Sequence, residues 1–155
     1  MGKVLVRCKM IITEMKEQHV QQIAELEKMC FHDPWSESSI ASELNNRLSL
    51  WFVAVQEEQV IGYVGSQTVL GETDMMNIAV HPNYRKQGIG TELIEHLIEA
   101  LTLRGSHSLT LEVRVSNEAA ISVYKKLGFT EVGCRKNYYR NPKEDALILR
   151  KEWSL

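Results

Sequence analysis

Apolar and polar residues recur along this chain with two different periods, and the switches between them mark out its elements. Met10 to Glu14 reads as a short first strand. From Lys16 to Cys30 the apolar positions Val20, Ile23, Ala24, Leu26 and Met29 fall at near-helical spacing. His32-Asp33-Pro34 interrupts that helix, and Ser36 is placed to cap a second one reaching about Leu44. Leu50–Gln56 and Val60–Val69 are strand-like, joined by the polar Glu57-Glu58-Gln59 turn, which predicts a hairpin. Asp74–Val80 is a further strand, ended by His81-Pro82. The clearest helix spans Gly88 to Arg104, with Ile89, Leu93, Ile94, Leu97, Ile98 and Leu101 as its apolar stripe and Gly105 as its stop. Ser108 to Val115 alternates strictly, with Leu109, Leu111, Val113 and Val115 on one face and Thr110, Glu112 and Arg114 on the other. Asn117 can cap a helix to Leu127 that Gly128 terminates, and Phe129–Tyr139 and Asp145–Trp153 would be closing strands around an Arg140-Asn141-Pro142 turn.

The strand–helix–strand run over residues 74 to 115 implies one parallel pair, while the hairpins imply antiparallel neighbours elsewhere. A mixed sheet flanked by helices follows. At 155 residues, 44% hydrophobic and 25% charged, the chain fits one globular domain over 1–155, with residues 1–9 a candidate extension ahead of a start at Met10. A formal net charge of −2 argues against non-specific binding of nucleic acid. Cys8, Cys30 and Cys134 are odd in number and form no C-x-x-C pair, so neither a metal site nor a disulfide framework is expected, and a reducing cytoplasm fits best. No apolar run is long enough for a membrane span; Leu48–Val55 is the longest and Ser49 breaks it. The first ten residues lack a secretory apolar core, and Val6 stands where a myristoylation signal after Gly2 wants Ser or Thr.

Candidate chemistry begins at Arg85-Lys86-Gln87-Gly88-Ile89-Gly90, between a strand and the start of the strongest helix. Such glycines serve either a tight structural turn or the close approach of backbone to an anion, whose charge the helix N-terminus and the basic pair would favour. The turn lacks the Lys-Ser/Thr of a Walker A loop and the third glycine of a dinucleotide fingerprint. It resembles the Q/R-x-x-G-x-G/A signature of the GNAT acetyltransferases. A second segment, Asn117, Ala120, Tyr124, Gly128 and Phe129, is similar to that family's N-x-x-A-x-x-x-Y-x-x-x-G-F block. Together the two blocks extend the resemblance over roughly residues 10 to 152.

The resemblance implies an α/β (α+β) fold with a mixed, mostly antiparallel seven-stranded sheet, about four flanking helices and a central parallel pair. It implies acetyl-CoA as cosubstrate and no metal. The pyrophosphate would lie on Arg85, Lys86, Gln87, Gly88, Ile89 and Gly90, the pantetheine arm along the backbone of Ile78, Ala79 and Val80, with Asn117 and Tyr124 contacting the coenzyme.

Glu112, on the polar side of its strand, is either a solvated carboxylate (paired, for example, with Arg114) or a general base taking the proton of an amine. Tyr124 is either a core tyrosine or the general acid that protonates the departing thiolate. Amides near Ile78 to Val80 are candidate donors to the thioester oxygen. None of the cysteines falls in a matched block, so direct attack of the amine on the thioester is expected.

Within the superfamily the chain resembles the RimI-type ribosomal-protein alanine N-acetyltransferases, through Asp33-Pro34-Trp35-Ser36, Leu111-Glu112-Val113-Arg114, and Asn137-Tyr138-Tyr139 with Glu144-Asp145-Ala146. That resemblance implies Glu112 as base, Tyr124 as acid and the N-terminal alanine of a small-subunit ribosomal protein as acceptor. Trp35, Tyr138 and Tyr139 are candidate walls of a peptide groove or ordinary packing residues. Three alternatives stay open at this level: a small-molecule amine as acceptor, a coenzyme A-binding regulator without catalysis, and acetylation of charged tRNA. The acidic balance weighs against the last, although Arg135, Lys136, Arg140 and Lys143 cluster near the closing turn.

Overall fold

The structure, a computed structural model, describes residues 9–154, so the candidate extension and Cys8 lie outside the described residues apart from Lys9. The described residues form seven strands and four α-helices: β1 (Ile11–Glu14), α1 (Val20–Cys30), α2 (Glu37–Glu43), β2 (Ser49–Gln56), β3 (Gln59–Val69), β4 (Glu72–Val80), α3 (Ile89–Leu103), β5 (Ser108–Arg114), α4 (Glu118–Lys126), β6 (Thr130–Tyr139) and β7 (Glu144–Glu152). All seven strands join one sheet in the order β1-β2-β3-β4-β5-β7-β6. β4 and β5 run parallel and every other neighbouring pair is antiparallel, so the expected mixed sheet with a central parallel pair is what forms.

Why the central strands lack polar alternation is visible in β2. Leu50, Phe52 and Ala54 pack into the core beneath α3, while Trp51 and Val53 point to the opposite face beneath α1 and α2. A strand covered on both faces must be apolar at every position. α3 buries Ile89, Leu93, Ile94, Leu97 and Leu101 against one face, worth roughly 1.5–3 kcal/mol per large side chain before entropic losses. α1 covers the other face with Val20, Ile23, Ala24 and Leu26. Here the expected stripe is corrected at one position: Met29 is exposed, and Glu27 takes the next buried place on the helix. The heptad step from Val20 leads to residue 27, whereas position 29 turns past the edge of the stripe.

Turn chemistry sets the element boundaries. Ser36 accepts the Ser39 amide at 3.1 Å as the N-cap of α2, and Asn117 accepts the Ala120 amide at 3.2 Å as the N-cap of α4. Glu57 and Glu58, both at positive φ, close the β2–β3 hairpin as a two-residue turn. A second such turn, Leu70-Gly71, starts β4 at Glu72, two residues earlier than the sequence pattern implied.

Gly65 of β3 faces the ring of Trp51 on β2, and a Cβ there would land inside the indole. Gly65→Ala is therefore expected to cost about 1–3 kcal/mol through overpacking. Urea denaturation monitored by tryptophan fluorescence reads that loss as a lower midpoint at unchanged slope.

Candidate active site

The central parallel pair is short. β4 and β5 pair at Glu72↔Ser108, Thr73↔Leu109 and Asp74↔Thr110, and there the register ends. Beyond Asp74, β4 continues to Val80 against β3, while β5 continues to Arg114 against β7. A bulge at Met76, where Gly65↔Asn77 is followed by Ser66↔Met75, increases the divergence. The two strands therefore open into a wedge, and a cleft of about 570 Å³ occupies it. Its walls are the segment before α2 (Phe31 to Trp35), β4 from Met75 to Ile78, β5 from Leu111 to Arg114, one side of α4, and Tyr138 to Asn141 at the β6–β7 turn.

Seven of the residues singled out in the sequence meet in this cleft: Trp35, Ile78, Glu112, Asn117, Tyr124, Tyr138 and Tyr139. The glycine turn lies outside it, where β4 hands over to α3. Gly88 adopts φ +80° as the N-cap of α3, and Lys86 also has a positive φ of 62°. Two left-handed residues so close together curl the backbone, and the first is a lysine that must bear the strain. A Cβ on Gly88 would meet nothing within 4 Å, and one on Gly90 would find only Val80 Cγ2 at 3.9 Å. Open space over a helix N-terminus suits a phosphate group. Ile89 and Ala79 bury their side chains in the two cores, so only their backbone is available to a ligand. Arg85 is turned back on the end of β4, donating from Nε to the Val80 carbonyl at 3.2 Å and from Nη2 to Cys30 Sγ at 3.5 Å. The Ile78 amide donates to its neighbour's Asn77 Oδ1 at 3.1 Å.

Glu112 is partly buried and pairs with Arg135 of β6 at 3.3 Å, not with Arg114. Arg114, on the same face of β5 as Glu112, is engaged by the β6–β7 turn instead. Its Nη1 donates to the Pro142 carbonyl at 2.9 Å and to Glu144 at 3.2 Å, and its Nη2 to the Asn141 carbonyl at 3.3 Å. Its guanidinium also lies 4.3 Å over the Tyr139 ring. Glu144 accepts the Ser116 amide at 2.6 Å; Ser116 first and Arg114 second hold its carboxyl below the usual carboxylate range.

The closing strands carry a further irregularity: Arg135 faces Ala146 while Tyr139 faces Glu144, so β6 spends four steps where β7 spends two. Asn137, at φ 55° with its amide donating to Asp145 Oδ1 at 2.7 Å, makes the bend that brings Tyr138 and Tyr139 to the cleft. Tyr124 is 8% exposed, and its ring packs edge-on against Phe129. Burial pushes its pKa up to about 12, which keeps the proton on the oxygen at neutral pH. Burial, then Tyr138 and Glu112, push Tyr139 up to about 12 as well, against the pull of Arg114.

Sequence reasoning missed Glu27, Asn77, the Arg135–Glu112 pair and the Arg114–Glu144 clamp. Glu27 left a signal, a charge at a helical position due to be apolar. The two ion pairs left none, because their partners are 23 and 30 residues apart and only strand register brings them together. Among the described residues no group of three or more His, Cys, Asp or Glu is placed to hold a metal ion.

An opened parallel strand pair, a glycine turn feeding a helix, and a carboxylate and a buried phenol in one cleft define a coenzyme A-dependent acyltransferase. The chain matches the acetyltransferase (GNAT) family over residues 20–129 and belongs to it, with acetyl-CoA as its acetyl donor. It is 46% identical over 118 residues to the [ribosomal protein bS18]-alanine N-acetyltransferase of Escherichia coli strain K12, a match covering 75% of this chain and 79% of that protein. It is 35% identical over 144 residues to a putative enzyme of the same name from Bacillus subtilis, covering 92% and 95%. The crystal structure of the ribosomal-protein-S18-alanine N-acetyltransferase from E. coli superposes with a TM-score of 0.87 at 38% identity, over 95% of this chain and 96% of that one.

Keeping Tyr124 neutral stabilises the fold fully below pH 10, and that stability is lost as pH rises from 10 to about 12, because the unfolded phenol ionises first. Over that window the urea midpoint of the native protein is expected to fall relative to that of Tyr124→Phe; parallel curves would mean that the phenol titrates normally.

Proposed function

We propose that this chain acetylates the N-terminal α-amine of alanine on a small-subunit ribosomal protein, in the cytoplasm, as one catalytic domain. The observation that carries the reading is the cleft itself, which joins Glu112 and Tyr124 to an aromatic rim of Trp35, Tyr138 and Tyr139. Aromatic walls bury an extended peptide end with little loss of side-chain entropy. The relatives named for bS18-alanine acetylation, at up to 46% identity, support the same acceptor.

Acetyl-CoA supplies an acetyl group activated as a thioester. Gly88 and Gly90, with the amides that open α3, would take the pyrophosphate. The free edge of β4 at Ile78 to Val80 would take the pantetheine arm, and Asn117 would contact it from the start of α4. Glu112 receives the proton of the incoming amine on a carboxylate oxygen. An N-terminal α-amine, with a pKa of about 8, is already partly neutral at pH 7, so one carboxylate suffices, whereas a lysine side chain near 10.4 would need more help. Arg135 keeps Glu112 held and oriented until the amine arrives to share it. Tyr124 delivers its phenolic proton to the departing thiolate, a role that its buried, protonated state suits.

Glu112→Gln and Tyr124→Phe are each expected to lower kcat by about 10²–10⁴-fold, the usual contribution of a positioned acid or base, with acetyl-CoA affinity nearly unchanged. Full activity in either variant removes that residue from its role. Gly88→Val should weaken acetyl-CoA binding first, as measured by calorimetry. Thiol release against a panel of amines tests the acceptor. Turnover confined to peptides with a free N-terminal alanine or serine is the expected outcome. Turnover only with polyamines or aminoglycosides would overturn the acceptor while keeping the coenzyme.

A further inference from the structure

Glu27 is a charged residue on the buried stripe of α1, with none of its surface exposed. No ion pair reaches it among the described residues, and three donors converge on it instead. Asn77 Nδ2 donates to Oε1 at 2.5 Å, the Tyr63 hydroxyl donates to the same oxygen, and the Trp35 backbone amide donates to Oε2 at 3.2 Å. Burial raises its carboxyl pKa, and the hydrogen bonds from Tyr63, Trp35 and Asn77 oppose that. A carboxylate that accepts three hydrogen bonds in the core is costly to keep unless it holds something in place.

What it holds is asymmetric. Oε1 faces the sheet, binding Tyr63 of β3 and Asn77 of β4 just past the Met76 bulge. Oε2 faces the segment between α1 and α2, where Trp35 stands on the cleft rim. The Trp35 indole leans edge-on against Trp51, centroids 5.4 Å apart, and Trp51 stacks on Tyr63 at 5.8 Å. Trp35 and Asn77 line the cleft, whereas Glu27 and Tyr63 lie behind its wall.

We infer that Glu27 is a positioning residue for the acceptor: its buried carboxylate ties the Trp35 segment to the opened strand β4 and so sets the width of the peptide side of the cleft. This rests on the reading of Trp35 as a wall of the acceptor groove. The tie carries specificity for the acceptor and leaves the pyrophosphate side of the coenzyme, at α3 and the glycine turn, untouched.

Glu27→Gln separates the two ends of the tie. The amide keeps one oxygen, which two donors from the sheet claim over one from the loop, so its NH₂ group confronts the Trp35 amide donor to donor. One partly buried donor left without a partner corresponds to about a tenfold rise in the KM of a short alanine-initiated peptide. The KM of acetyl-CoA should stay near the native value, while the melting temperature falls by roughly 2–6 °C, the shift that one unpaired donor produces in a domain of this size. Tyr63→Phe, which removes a donor on the sheet side only, should leave the peptide KM nearly unchanged. In the native protein, hydrogen exchange should find the Trp35 amide strongly protected. Equal rises in both KM values with Glu27→Gln, an equal effect from Tyr63→Phe, or a Trp35 amide exchanging as freely as an open loop would each overturn the inference. Trp35→Ala distinguishes the two levels. If it raises the peptide KM while Glu27→Gln does not, the groove stands and the tie fails; if it changes nothing, the groove reading itself fails and takes the tie with it.

Discussion

Everything in the site depends on β4 and β5 pairing for three residues and then parting. Parallel strands bond through evenly spaced amides and carbonyls, and ending the ladder at Asp74↔Thr110 leaves two strand edges facing one another across a widening gap. Unmatched main-chain groups inside a protein are costly, so the gap persists only because each strand remains paired on its outer side, β4 with β3 and β5 with β7. The same divergence gives each edge a different task. In the proposed function β4 would offer backbone to a linear ligand, with Glu112 presented beside it by β5.

The walls of the wedge do not stand by hydrophobic packing alone. On one side a buried carboxylate of α1 gathers a loop amide and two strand side chains. On the other, Arg114 gathers two turn carbonyls, Glu144 and the face of Tyr139. Each is a hub of directional bonds joining a regular element to an irregular segment. Apolar contacts bury area but specify position weakly, whereas hydrogen bonds to a charged group fix distance and angle. A cleft wall built on loops needs such ties because the loops have no ladder of their own.

The two candidate catalytic groups differ in environment in the sense that the proposed roles require. Tyr124 is buried against Phe129 and keeps its proton. Glu112 is open enough to be reached and lies beside the Arg135 cation. Burial that keeps the phenol protonated leaves Tyr124 a proton to give at neutral pH.

Most of the secondary structure was legible because it rests on local rules. The period of Ile89 to Leu101, the caps Ser36 and Asn117 and the stop at Gly128 are each set by residues within a few positions of one another. The family blocks were legible for the same reason, since the glycine turn and the Asn117–Tyr124 spacing are contiguous. Long-range contacts were not. The position of Glu112 on the polar side of β5 follows from alternation, yet its partner Arg135 depends on the β5–β7–β6 register and on a bulge that no local pattern announces. Glu27 could be seen as a misplaced charge, but its three donors come from residues 35, 63 and 77. The sequence by itself determined the elements, their order and the residue types at the site, because those depend on neighbours along the chain. Only the tertiary structure decided where the sheet opens and which charges meet, because hydrogen bonds and ion pairs between distant segments exist only once the strands have taken their register.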